Sequence, residues 1–310
     1  MKIELVFIPA AEIGHLRSTV ELAKKLLNED DRLSITVLII PRPSADDSDH
    51  VTPLFTPSQD RLLHVTISAA DQPPDVPLDP QAYMDNQKPK VRDAVSKLLD
   101  SPPRLAGFVV DMFCTSMIEV ADEFKVPTYM MYTSNAAFLG ITLHLQLMFD
   151  EKKYDVSELD ESVNELDFPC LTRPYPVKCL PYLFTSKQWL PFFFDQARNF
   201  RKMKGILSLW FGVPMVTWPL YAEQKINAFE MVEELGLAVF FKGDLLGGEM
   251  ETVAAEDIER AVRRVMEEGS DVRKRVEEMA EKCHVALEDG GSSQVALRKF
   301  VRDVVENVVV

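Results

Sequence analysis

Over the first 130 or so positions of the 310-residue chain, short apolar blocks alternate with segments of helical period. Ile3 to Pro9 is an apolar run, Leu16, Val20, Ala23 and Leu26/Leu27 follow at helical spacing, and Ile35 to Ile40 is a second run. This alternation predicts a strand, a helix and a second strand. The pattern returns with Leu105 to Asp111 as strand, Met117, Ile118, Val120, Ala121 and Phe124 on one helical face, and Val126 to Tyr132 as strand. A long apolar segment, Ala136 to Phe149, comes next. Strands this apolar, separated by helices, predict a parallel sheet covered on both faces, Rossmann-like in its layers.

Eight of the twenty prolines fall between Pro41 and Pro80, so this stretch reads as a long irregular excursion over the sheet, of the kind that shapes a pocket. Tyr154 to Pro181, acidic and then Pro-rich, reads as a lid or interdomain segment, and Trp189 to Met203 as one amphipathic helix. From Val213 the α/β rhythm resumes: a strand to Trp218, a helix from Glu223 to Leu235 stopped by Gly236, and a strand from Leu237 to Phe241. Gly247 and Gly248 suggest a surface turn. Helices are predicted over Ala255 to Glu268 and Val272 to Leu287, closed by Gly290 and Gly291. Ser292 and Ser293 then cap a last helix with Val295, Phe300, Val301, Val304 and Val305 as its apolar face. This second half offers only two clear strands, too few to bury a Rossmann-type sheet.

Charge narrows the function. With 34 basic against 49 acidic residues the formal charge is −15, and no Lys/Arg cluster interrupts it. Phosphate-backbone binding needs a positive footprint, so a nucleic-acid partner is not expected. The apolar runs are far too short to span a bilayer, and Lys2 and Glu4 flank the first run with no small-residue cleavage site after it. The expected location is the cytoplasm. Four irregularly spaced cysteines (Cys114, Cys170, Cys179, Cys283) predict reduced, structural thiols.

Three places offer chemistry. His15, preceded by Gly14, lies in the turn between the first strand and first helix, at a sheet rim where open α/β folds bind ligands, and suits a general base or, more plainly, a helix-capping or solvated histidine. Asp111 ends its strand on the same rim, where it either accepts from a His15 ring nitrogen or caps the following helix. Glu223 and Gln224 sit at another strand-to-helix turn, a pairing of acceptor and donor suited to sugar hydroxyls or, more plainly, a polar helix start. His50, His64, His144 and His284 show no metal-ligand pattern and read as structural, so no metal is expected.

Phe7-Ile-Pro-Ala-Ala-Glu-Ile-Gly-His-Leu16, Phe108-Val-Val-Asp-Met-Phe113 and above all Ser208-Leu-Trp-Phe-Gly-Val-Pro-Met-Val-Thr-Trp-Pro-Leu-Tyr-Ala-Glu-Gln-Lys-Ile-Asn-Ala228 resemble plant family 1 UDP-dependent glycosyltransferases of natural products. The resemblance runs through Gly290-Gly-Ser-Ser293 and the final helix. It implies a GT-B-like α/β fold and an inverting transfer of a hexose, glucose being favoured by the terminal glutamine of the signature box. The donor is a UDP-sugar, a substrate rather than a cofactor, and the acceptor a small phenolic or lipophilic molecule. His15 would take the acceptor's proton, Asp111 would hold His15, and Glu223, Gln224 and Thr133 would contact the sugar.

The family's Trp-Ala-Pro-Gln and His-Cys-Gly-Trp-Asn-Ser blocks, which precede the matched Leu-Trp-Phe-Gly-Val-Pro, have no counterpart here. The resemblance therefore implies an internal deletion that removes most of the front half of the second domain. The expected division is 1–204 as an acceptor-binding Rossmann-like domain, 205–288 as a remnant of the donor domain, and 289–310 as a C-terminal helix. Impaired activity follows, or a non-catalytic product that binds small molecules or an intact relative. Unpaired strand edges in the remnant predict self-association.

Overall fold

The computed structural model describes residues 2–10, 12–41, 54–55, 60–68, 80–99, 104–159, 163–207, 215–217, 224–240, 254–267 and 269–309. They group into two compact units, one of residues 1–133, 199–208 and 292–310, the other of 134–198 and 209–291. The first unit takes in three stretches of chain, because the chain leaves it twice and returns with its last helix.

The first unit is built on β1 (Ile3–Ile8), β2 (Leu33–Ile39), β3 (Leu62–Thr66), β4 (Arg104–Asp111), β5 (Thr128–Met131) and, after the two-residue strands β6 (Glu165–Leu166) and β7 (Tyr175–Pro176) of the other unit, β8 (Gly205–Leu207). The sheet order is β3-β2-β1-β4-β5-β8, and every pairing within it is parallel. The Rossmann-like order turns back between β1 and β4, the place where such sheets open a ligand crevice. All six residues of β1 are buried, which is why its sequence reads as an unbroken apolar run apart from Glu4.

α1 (Ile13–Glu29) buries Leu16, Val20, Leu22, Ala23, Leu26 and Leu27, the stripe expected from its spacing. Two elements in the first unit were not among the expected ones. The Pro41 to Pro80 excursion contains β3, paired with β2 through Ile35↔Leu62 to Ile39↔Thr66. Its signal is weak because β3 is an outer strand, with Leu63 and Val65 exposed, so its alternation does not mark a buried face. The second is α2 (Pro80–Leu98), whose Tyr83, Met84, Val91, Ala94, Val95 and Leu98 pack on the core beside Phe108 and Val110. Its internal Pro89 argues against a helix in isolation, and the apolar stripe outweighs the lost hydrogen bond. Beyond β4 come a 3-10 turn, Thr115–Met117, and α3 (Ile118–Glu123).

The last helix, α10 (Ser292–Val309), belongs to this unit. Phe300, Val301, Val304, Val305 and Val308 are its buried face, and the Phe300 ring meets Tyr129 edge-on at 4.8 Å. Burying one such side chain stabilises by about 1.5–3 kcal/mol. Polar ties fix the register: Arg104 Nη1 donates to the Val308 carbonyl (3.2 Å), Asn307 Nδ2 to Tyr129 Oη (3.1 Å) and Lys204 Nζ to Asn307 Oδ1 (2.7 Å). Burial pushes the Tyr129 hydroxyl up to about 12, so it stays a neutral partner for Asn307.

In the second unit the apolar segment from Ala136 is α4 (Ala136–Lys152), a helix. Asn135 caps it, its Oδ1 accepting from Phe138 N at 2.6 Å while its Nδ2 donates to Asn227 Oδ1 at 2.6 Å. The described residues between Tyr154 and Pro181 are mostly irregular apart from a 3-10 turn at Val156–Glu158, the antiparallel β6–β7 pair and a second 3-10 turn at Val177–Cys179. α5 (Tyr182–Thr185) and α6 (Leu190–Phe200) follow, the last two residues of α6 being counted with the first unit. β9 (Met215–Thr217) and β10 (Ala238–Phe240) form a two-stranded parallel sheet, matching the two strands expected. Between them, α7 (Gln224–Phe229) gives way to a π-helical turn, Glu230–Glu234, where a single helix was expected; Leu235 N–H bonds the Glu230 carbonyl five residues back. Gly236 ends it at φ +66°. α8 (Ala255–Met266) and α9 (Asp271–Leu287) complete the unit, α9 capped by the Ser270 hydroxyl. The Gly247–Gly248 pair lies outside the described residues.

All four cysteines are unbridged. Among the described residues no helix is long and apolar enough to cross a membrane, and no group of three or more His, Cys, Asp or Glu is placed to hold a metal ion.

Candidate functional site

Three adjacent strands of the first sheet, β1, β4 and β5, end at one rim. The first turn of α1 sets His15 above β1, Asp111 is the last residue of β4, and Thr133 lies two residues past β5. Parallel register aligns these ends, Ile8 lying opposite Val110 and Asp111 opposite Met131.

The three side chains meet at one atom. Nδ1 of His15 lies 2.7 Å from Asp111 Oδ2 and 3.0 Å from Thr133 Oγ1. A carboxylate only accepts, so the ring donates to it from Nδ1. That tautomer places the ring's lone pair on Nε2. The Asp111 side chain is fully shielded from solvent while His15 is about one-fifth exposed (21%), which lets the ring face a ligand while its partner stays in a low-dielectric setting.

Asp111 is itself held. Its Oδ1 accepts from Phe113 N at 3.0 Å and its carbonyl accepts from Cys114 N at 2.9 Å, an Asx-type turn at the strand end. The N-cap of the following 3-10 turn is Cys114, so Asp111 does not cap it. Burial, with the negative charges of Asp111 and Glu12 adding to it, pushes the Cys114 thiol well up and leaves it unreactive. The Phe113 ring lies 5.5 Å from the His15 ring, tilted by 43°. Behind His15, Thr19 Oγ1 donates to the His15 carbonyl at 2.9 Å and lies 3.4 Å from Met131 Sδ. A Cβ added to Gly14 would meet nothing within 4 Å, so internal packing is not what excludes a side chain there.

His15, Asp111 and Thr133 are thus brought together. Gln224 is half-buried and opens α7 in the other compact unit, and Glu223 lies outside the described residues. The sequence reading missed Phe113, which serves both the carboxylate and the imidazole. Its signal was the spacing: an N–H two residues after an Asp at a strand end is the natural partner of that carboxylate.

Residues 202–276 match the family model described as "UDP-glucoronosyl and UDP-glucosyl transferase". The chain is 44% identical to UDP-glycosyltransferase 71B5 of Arabidopsis thaliana, over 99% of this chain and 100% of that protein. It is 28% identical to anthocyanidin 3-O-glucosyltransferase 1 of Manihot esculenta, over 95% and 100% of the two chains. Its structure is similar to a UGT transferase from Siraitia grosvenorii solved in complex with UDP, with a TM-score of 0.83, 26% identity and coverage of 98% and 100%. The alignment to the Arabidopsis protein runs over 477 positions, of which this chain of 310 fills at most 310. At least 167 positions (477 less 310) therefore face gaps in this chain, although the match reaches both ends of the relative.

Proposed function

The chain belongs to the plant family 1 UDP-glycosyltransferases, and from that premise we propose that it transfers a hexose, glucose, from a UDP-sugar to a hydroxyl of a small phenolic acceptor with inversion. The observation that carries this reading is the 2.7 Å bond between His15 Nδ1 and buried Asp111. Nε2 of His15 takes the acceptor proton as the acceptor oxygen bonds to the anomeric carbon. The bond from that carbon to the diphosphate breaks with its electron pair going to UDP. Asp111 stabilises the imidazolium formed at His15. Glu223, Gln224 and Thr133 are assigned to the sugar hydroxyls by the family resemblance. The named glucosyl acceptor class of the Manihot relative supports a phenolic substrate. The reaction as read uses no resident cofactor or metal, the acceptor role falls to 1–204 and the donor role to 205–288, and the protein acts in the cytoplasm.

We place the missing stretch between Leu207 and Ser208, on the donor side. β8 completes the first sheet up to Leu207, and the matched signature begins at Ser208. Loss of diphosphate contacts removes charge-assisted hydrogen bonds, the strongest available to a donor, so turnover is low. Purified protein incubated with UDP-glucose and a panel of phenols, with His15→Ala beside it, tests this by mass spectrometry of the glucoside. Turnover equal to that of an intact relative would refute the impairment. The at least 167 gapped positions also favour a second reading, a non-catalytic binder of small molecules or of an intact relative. Calorimetry separates the two: phenol binding without UDP binding supports the binder, and tight UDP binding counts against it.

A further inference from the structure

We propose that Thr133 is a positioning residue for His15, acting through the imidazole before any donor is bound. The inference rests on the reading of His15 as the base. It adds a third member to the arrangement at Nδ1, where the family resemblance assigns Thr133 only to the sugar.

The argument starts from the count of hydrogens. Nδ1 carries one hydrogen in the tautomer that leaves Nε2 as base, and two oxygens lie within reach of it, Asp111 Oδ2 at 2.7 Å and Thr133 Oγ1 at 3.0 Å. Asp111 is not at liberty to turn away, since its Oδ1 is held by Phe113 N at 3.0 Å and its side chain is fully buried. The shorter, charge-assisted bond therefore fixes the hydrogen on Nδ1. Thr133 Oγ1 must then face that hydrogen as a second acceptor, with its own hydrogen turned elsewhere. A hydroxyl donating to Nδ1 would need the opposite tautomer, which would set a bare nitrogen against a carboxylate.

A ring bonded to one acceptor at Nδ1 keeps some freedom to tilt about χ2. A second acceptor at the same nitrogen removes much of this freedom, and the Phe113 ring at 5.5 Å limits what remains. Thr suits the task because its β-branch restricts χ1, so the hydroxyl is aimed by its own backbone. That backbone is set by β5, whose Met131 is paired with Asp111 itself, so base, carboxylate and hydroxyl are indexed to one register.

The test needs no turnover. In chain labelled with 15N-histidine, free of UDP and acceptor, NMR measures exchange of the His15 Nδ1 hydrogen with water, with Asp111→Asn identifying the signal. Thr133→Val keeps the shape and loses the oxygen, and is expected to speed exchange about 5- to 10-fold, the weight of one ordinary hydrogen bond. Thr133→Ser keeps the oxygen and is expected to stay within about 2-fold of the parent. Thermal unfolding of each variant is recorded alongside; if Thr133→Val does not fold, Thr133→Ala against Thr133→Ser gives the same comparison. Variants without the hydroxyl that exchange within about 2-fold of the parent, or a Ser variant as fast as they are, would overturn the proposal. Absence of glucoside from the parent protein would refute the transferase reading and leave this result standing on its own.

Discussion

Replacing Asp111 by Asn changes one atom and inverts the logic of the site. The new amide must place its oxygen toward Phe113 N, which donates to Oδ1 at 3.0 Å, because an NH2 there would face another donor. The amide NH2 is then directed at His15 Nδ1, 2.7 Å from the present Oδ2. A donor at that position needs the Nδ1 lone pair, so the ring hydrogen moves to Nε2 and occupies the lone pair that the proposed base would use. The charge-assisted bond that now selects the Nδ1–H tautomer is worth about 1.5–3 kcal/mol, or about 10- to 150-fold in tautomer ratio. Under the proposed transferase reading, acceptor turnover falls at least in that proportion, toward the order of 10⁴ that a swapped tautomer costs in a Ser-His-Asp triad. Long-range 15N–1H correlation on histidine-labelled protein reads the tautomer, and mass spectrometry of glucoside reads any turnover. A His15 ring that keeps its hydrogen on Nδ1 in the Asn variant would refute the reasoning.

Three further outcomes follow from the structure. Burial is the largest influence on the Glu4 carboxyl and pushes it above the ordinary range, while hydrogen bonds from Ser34 and Thr36 pull the other way. A carboxyl raised in the folded state favours folding when protonated, so its contribution is complete below the unfolded value and is lost as pH rises through the folded one. Glu4→Gln should therefore raise the melting temperature at about pH 8 and leave it little changed at about pH 4; an equal shift at both would contradict the assignment. At Gly107 an added Cβ would lie 2.8 Å from the Pro127 carbonyl, which accepts Phe108 N–H, so Gly107→Ala must displace backbone between β4 and β5. Denaturant unfolding is expected to show a loss of about 1–3 kcal/mol, and an unchanged midpoint would show that the sheet yields freely. Asn135→Ala removes both the cap of α4 and the tie to Asn227, and should cost about 0.5–2 kcal/mol by the same measurement. Asn135→Ser, which still caps, is expected to recover part of that loss; no recovery would remove capping as the cause.

Much of the architecture was legible because buried strands and amphipathic helices write their periods into the chain. β1, α1, β2 and β4 follow directly from their apolar positions, and the final helix from Ser292 onward from its valine stripe. What escaped were elements whose stabilisation is not local. β3 exposes Leu63 and Val65 and is held by its ladder to β2, and α2 carries Pro89 yet survives on contacts with the core. The π-helical turn at Glu230–Glu234 likewise left no mark in the spacing that predicted one continuous helix.

The sequence by itself determined which residue types stand at the ends of the strands, and so named His15 and Asp111, while Thr133 was named only through the family resemblance. It also showed, by the run from Leu207 directly into Ser208, that the family's Trp-Ala-Pro-Gln and His-Cys-Gly-Trp-Asn-Ser blocks have no counterpart between them. Only the tertiary structure decided that the three side chains converge on Nδ1, with Phe113 holding the carboxylate from behind. His15 and Asp111 are separated by 96 positions and His15 and Thr133 by 118, so no local pattern relates them. The parallel register of β1, β4 and β5 does, because it is set by burying whole strands and carries the residues at their ends to one point.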